Sequence, residues 1–126
     1  MFVAKHLEAT RAAKRLAPDL IVIGSGYTYL MDWLPNVAQA EVRRGGVDAV
    51  GLGRMVLSYP ELPRDVLRGA PLERKLICRT FSDCTTAPRN GMKSGCFPLD
   101  PFYKAMPERD ELEAVKRRSR AEAKGD

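Results

Sequence analysis

Leu7, Ala12, Ala13 and Leu16 recur at helical spacing among charged residues, which predicts an amphipathic helix over His6 to Leu16, ended by Ala17-Pro18-Asp19. The period then changes. Leu20-Ile21-Val22-Ile23-Gly24 is a short apolar run rich in β-branched residues, the pattern of a strand buried on both faces of a parallel sheet. Ser25, Gly26 and the polar-aromatic stretch Tyr27 to Tyr29 read as the loop after it. A second helix is predicted with Asp32 as N-cap, Pro35 in its first turn and Trp33, Val37 and Ala40 on one face. Arg43 and Arg44 sit where cations complement the helix dipole, and Gly45-Gly46 supplies a left-handed closing residue. Val47 to Leu52 reads as a second buried strand, with Gly53-Arg54 at its carboxyl end. Pro60 to Arg68 reads as a short helix carrying Leu62, Val66 and Leu67, stopped by Gly69 and Pro71. The segment from Cys78 to Pro101 lacks periodicity and reads as loop. A polar helix from about Pro107 to Lys124, anchored by Leu112 and Val115, is predicted to close the chain and to fray in its last turns.

Helix, strand, helix, strand, helix with short connections specifies an α/β fold with right-handed crossovers and a parallel sheet. Two parallel strands flanked by three helices leave apolar faces and an edge uncovered. More strands are needed, and a complete eight-stranded barrel takes about 250 residues. The expectation is therefore the carboxy-terminal portion, the last two βα units, of a TIM (β/α)8 barrel whose missing N-terminal strands act as its partner. Three segments follow: a partial barrel over 1–76, a cysteine-containing loop over 77–104 packed on it, and a polar helical tail over 105–126.

Composition narrows the class. A chain of 126 residues, 44% hydrophobic and 29% charged, can bury one modest core. Its apolar run Leu20 to Ile23 is far shorter than the roughly 20 residues of a bilayer crossing. The first residues lack the apolar stretch and cleavage site of a secretory signal, so a cytoplasmic location and no membrane partner are expected. The net charge of +5 raises the question of nucleic acid. The basic residues are dispersed, however, and their densest run, Lys116, Arg117, Arg118 and Arg120, shares its helix with Glu111, Glu113 and Glu122. That is the pattern of a solvated face, and no nucleic-acid partner is expected. His6, the single histidine, reads as an exposed helix residue.

The candidate chemistry lies at the strand ends. In barrels of this kind the loops after the last strands commonly grip a phosphate. Gly24, Ser25 and Gly26 after the first strand, and Gly53 and Arg54 after the second, would expose backbone N–H groups that small residues let an anion approach. Ser25 adds a hydroxyl donor, and Arg54 a forked set of donors suited to phosphate oxygens. Any phosphate-binding barrel, an aldolase or a sugar-phosphate isomerase included, could use such loops. A non-catalytic, truncated barrel piece acting as an interaction segment through its exposed strand edge and cysteine loop is the reading from another class.

From Leu20 to Leu67, Val22-Ile23-Gly24-Ser25-Gly26 and Val50-Gly51-Leu52-Gly53-Arg54, with Pro60-Glu61-Leu62-Pro63 after them, resemble the last strand ends of the old yellow enzyme family, the NADH:flavin oxidoreductases. The resemblance extends to about Tyr103. It implies an FMN-binding barrel in which Gly24, Ser25, Gly26, Gly53 and Arg54 hold the flavin phosphate. It also implies hydride transfer from NADH or NADPH through the flavin to an electron-poor small-molecule substrate such as an activated alkene. The family's substrate-binding and proton-donating residues lie on earlier strands, so no catalytic residue is assigned. Larger relatives carry four cysteines that ligate an iron–sulfur cluster where this chain has Cys78, Cys84 and Cys96. Phe81 stands at the place of the second ligand, and Asp83 would have to serve as a fourth. The preferred reading is reduced cysteines in an ordered loop, without a cluster. Zinc ligands normally come in closely spaced pairs, so a zinc site is not expected either.

Overall fold

The structure, a computed structural model, describes residues 2–125. It is mostly helical, with one two-stranded parallel sheet, and forms two compact units that divide between Thr80 and Phe81. No helix among the described residues is long and apolar enough to cross a membrane.

The first unit opens with α1 (Phe2–Leu16), which seats Leu7 in the core and starts a turn earlier than its apolar spacing predicts. Lys14 ends it by donating to the carbonyls of Pro18 and Leu20, while its ammonium also meets Asp48 at 2.8 Å. Asp48 in turn accepts the Val22 N–H at 2.7 Å, and its own N–H donates to the Val22 carbonyl at 2.9 Å. These bonds set the register in which β1 (Ile23–Gly24) pairs with β2 (Ala49–Val50), Ile23 opposite Ala49 and Gly24 opposite Val50. Between the strands run a 3-10 turn, Tyr27–Trp33, and α2 (Leu34–Arg43), completing a βαβ unit.

The second helix ends as its sequence predicts. Gly45, at φ +70°, donates to the Val42 carbonyl and Gly46 to the Glu41 carbonyl, so the double bond of a Schellman motif closes it. Its start differs from expectation. Asp32 makes no cap and instead pairs with Arg79 at 2.7 Å and Arg74 at 3.4 Å, and the chain passes through Met31 at φ +50° before the helix begins. Beyond β2 come a short 3-10 turn, Arg54–Leu57, and α3 (Leu62–Leu67). Leu7, Tyr27, Leu34, Met55, Tyr59, Leu62, Ile77 and Cys78 form one buried cluster, each large apolar side chain contributing about 1.5–3 kcal/mol by leaving water. Beside it, Glu41 is 2% exposed and accepts from both Nε, at 2.6 Å, and Nη2 of Arg11.

The strands need correction. They are shorter than Leu20–Gly24 and Val47–Leu52, and neither is buried on both faces: Ile23 of β1 is 63% exposed, with Ile21 before it at 81%, and in β2 Ala49 is exposed and Val50 half-buried. Each strand has the other as its sheet neighbour, so pairing extends only where the two run together, and nothing among the described residues covers that face of β1.

In the second unit the segment expected to be loop contains helix. α4 (Asp83–Arg89) follows Ser82, whose carbonyl accepts from the hydroxyls of Thr85 and Thr86, and it holds Pro88 near its end. Asp100 caps α5 (Pro101–Lys104) by accepting the Phe102 N–H at 2.8 Å. α6 (Glu108–Gly125) begins with Glu108, Asp110 and Glu111, acids placed where the helix dipole favours them. Ala87, Met92, Phe97 and Leu112 make its core, with Tyr103, Met106 and Val115 packed against them. The Tyr103 ring occupies the space a side chain at position 95 would need: a Cβ on Gly95 would lie 2.2 Å from it.

Candidate functional site

Parallel pairing brings the two glycine turns to the same end of the sheet, where the Gly51 N–H donates to the Gly24 carbonyl at 2.8 Å. In the first turn, Gly24 is buried for a packing reason: a Cβ there would come within 2.9 Å of the Tyr27 ring and 3.0 Å of Val47. Ser25 is exposed, and Gly26 adopts φ +82°, a conformation glycine enters without penalty, before the 3-10 turn starts. In the second turn, Gly53 precedes the 3-10 turn that carries Arg54, and a Cβ on Gly53 would meet nothing within 4 Å. Open space therefore lies over that backbone.

Arg54 crosses to the first turn. Its guanidinium carbon stands 4.7 Å from the centroid of the Tyr29 ring, a cation–π contact worth about 0.5–1 kcal/mol at a partly exposed site. The Phe2 ring meets Tyr29 edge-on at 6.0 Å and stacks against His6 at 6.2 Å. His6 Nε2 lies 3.0 Å from Ser25 Oγ. One continuous group of side chains, Arg54, Tyr29, Phe2, His6 and Ser25, thus borders both glycine turns.

Two features of this border were not predicted from the sequence. His6 is half-buried and hydrogen-bonded, not an exposed helix residue, because α1 runs back along the sheet and brings its first turns to the carboxyl end of β1. Tyr29 is the seat of the arginine, and Phe2 lies between Tyr29 and His6. The spacing of Phe2 and His6, four residues apart on the helix that leads into β1, is the signal that could have found them.

Chemically, the turns offer a hydroxyl, a guanidinium held on an aromatic face and backbone amides of glycine-bearing turns, the groups that bind a phosphate or another compact oxyanion. Three residues beyond Tyr29, the Arg79 hydrogen bond holds the Asp32 carboxyl below its usual value against the opposing effect of burial, with further help from Arg74.

The cysteines are divided between the units. Cys78 is buried in the first, where its N–H points to Met55 Sδ at 3.3 Å and its sulfur accepts the Thr80 N–H at 3.4 Å. Cys84 and Cys96 belong to the second, where the Cys84 carbonyl accepts from the Ser94 hydroxyl at 2.7 Å. Asp83 is buried and bound to Lys116 at 3.0 Å, an ion pair that occupies the carboxylate. Among the described residues, no group of three or more His, Cys, Asp or Glu side chains is arranged to hold a metal ion. No family model, curated protein or solved structure matches the chain.

Proposed function

We propose that this chain is the carboxy-terminal part of an FMN-dependent oxidoreductase of old yellow enzyme type, and that its two glycine turns hold the flavin phosphate. The observation that supports the reading is the parallel pairing that puts both glycine turns at one end of the sheet, with Arg54 against the Tyr29 ring beyond the first turn. The residues suit the group: a left-handed glycine opens one turn, vacant space lies over Gly53, and the guanidinium supplies paired donors. When bound, FMN supplies the redox chemistry, accepting hydride from NADH or NADPH and delivering it to an electron-poor substrate such as an activated alkene. The part played by this chain is to bind and orient. Arg54 neutralises the phosphate charge, the turns fix its position, and the substrate-handling residues belong to other strands of the barrel. In this reading Ile21 and Ile23 pack against those strands, and Cys78, Cys84 and Cys96 are reduced, structural residues without a cluster.

Comparing FMN with riboflavin, which lacks the phosphate, tests the reading on the full chain. FMN should bind more tightly, and Arg54→Ala should weaken FMN by about 10- to 100-fold, the loss of one to two charge-assisted hydrogen bonds, while leaving riboflavin unchanged. Equal affinity for the two flavins would overturn it. Competition by inorganic phosphate with no preference for flavin would favour another phosphate-gripping barrel enzyme.

A further inference from the structure

We infer that His6 is a positioning residue of this anion site: its Nε2–H donates to Ser25 Oγ and so turns the serine proton outward, toward the bound oxyanion. The inference rests on the reading of the two turns as a phosphate site and adds to it a proton arrangement.

A serine hydroxyl has one proton to donate and two lone pairs, and a neutral imidazole has one protonated and one bare nitrogen. At 3.0 Å, His6 Nε2 and Ser25 Oγ share one hydrogen bond, which can run either way. With Nε2 bare, the serine proton points at the imidazole and oxygen lone pairs face the anion, which repels. With Nε2 protonated, Oγ accepts from the ring and its own proton is available to a phosphate oxygen. An anion in the turns therefore selects the Nε2-protonated forms of His6, the neutral tautomer and the imidazolium alike.

The surroundings hold the ring in place for this. A Cβ on Gly26 would stand 3.2 Å from His6 Cδ2, so the missing side chain at Gly26 is what lets the imidazole close on the turn. Phe2 stacks against the ring at an interplanar angle of 18°, and the Thr10 hydroxyl donates to the His6 carbonyl at 2.8 Å. Arg54 brings a positive charge to the same border through Tyr29, itself edge-on to Phe2.

Because His6 is the single histidine, its ring nitrogens can be followed without ambiguity in the 15N-labelled full chain. With FMN or inorganic phosphate bound, the Nε2 resonance should lie at its protonated position. His6→Leu should weaken FMN about fivefold, the worth of one hydrogen bond. Ser25→Ala should do the same without adding to it, and His6→Gln, which keeps an N–H donor, should restore most of the loss. FMN binding with the Nε2 resonance at its bare position, or additive losses in the double variant, would sink this inference and leave the phosphate site standing. Failure of both FMN and phosphate to bind would remove the two together.

Discussion

Arg11 and Glu41 show what one buried carboxylate demands of its neighbours. Arg11→Met would leave Glu41, 2% exposed, with Arg44 at 3.5 Å as its remaining ion-pair partner. A loss of about 3 kcal/mol in urea unfolding is expected, the lower end for stripping one partner from a buried pair. The Arg11 hydrogen bond holds the Glu41 carboxyl below its ordinary value, although burial alone would raise it. A carboxyl lowered on folding stabilises fully above its unfolded value of about 4.3, and that contribution disappears as pH falls through the lower folded value. The stability gap between wild type and Arg11→Met should therefore narrow on acidification below about pH 4; a gap that stays constant would contradict this account. At Gly95 a Cβ would collide with Tyr103, and Gly95→Ala should cost about 2 kcal/mol by overpacking. The sequence marked Gly26 and Arg54 as turn residues just past the two apolar runs, where the structure has them, but not the left-handed conformation of Gly26. His6 was not legible, because its role depends on a serine 19 positions away. Gly24 was legible as a glycine but for another reason, the room it leaves for Tyr27.

Elements were readable where the local chemistry is self-contained. The end of α2 follows from Gly45 alone, whose missing Cβ would meet nothing within 4 Å, so Gly45→Ala tests backbone conformation without any clash. It should cost about 1 kcal/mol, read as a shift in the thermal midpoint of the helical circular dichroism signal. The start of α2 was not readable, because Asp32 is claimed by Arg79, 47 positions along the chain. The helix α4 was hidden by its own composition. Two threonines and Pro88 argue against a helix, yet the threonine hydroxyls bond back to the Ser82 carbonyl and the Met92 N–H reaches Ala87 at 3.0 Å to close the far end. The apolar runs marked where both strands lie but not their length or burial: strand length is a property of pairing, and two strands sustain only two residues each.

For the molecule as a whole, the uncovered face of β1 is the dominant liability. Ile21 and Ile23 stand in solvent, and Leu20 is exposed as well; apolar side chains left open in this way promote association. Light scattering after size exclusion should show concentration-dependent self-association of the chain. Ile21→Thr with Ile23→Thr should reduce it while changing stability by no more than about 0.5 kcal/mol, as expected for exposed positions. A wild-type chain that stays monomeric at high concentration would count against this view. The order of alternating elements up to α3 could be read from the sequence, but the full helix content could not, since α4 and α5 lie where loop was expected. The grouping of the cysteine segment with the last helix could not, since it depends on Leu112 and Val115 meeting Ala87, Met92 and Phe97.

Trp33, the single tryptophan, precedes α2 and is 70% exposed. Its fluorescence should already be red-shifted in the native chain and change little in wavelength on denaturation, so emission maxima will make a poor gauge of unfolding. The same property makes the indole a sensitive beacon: any surface that comes to cover it will announce itself as a blue shift.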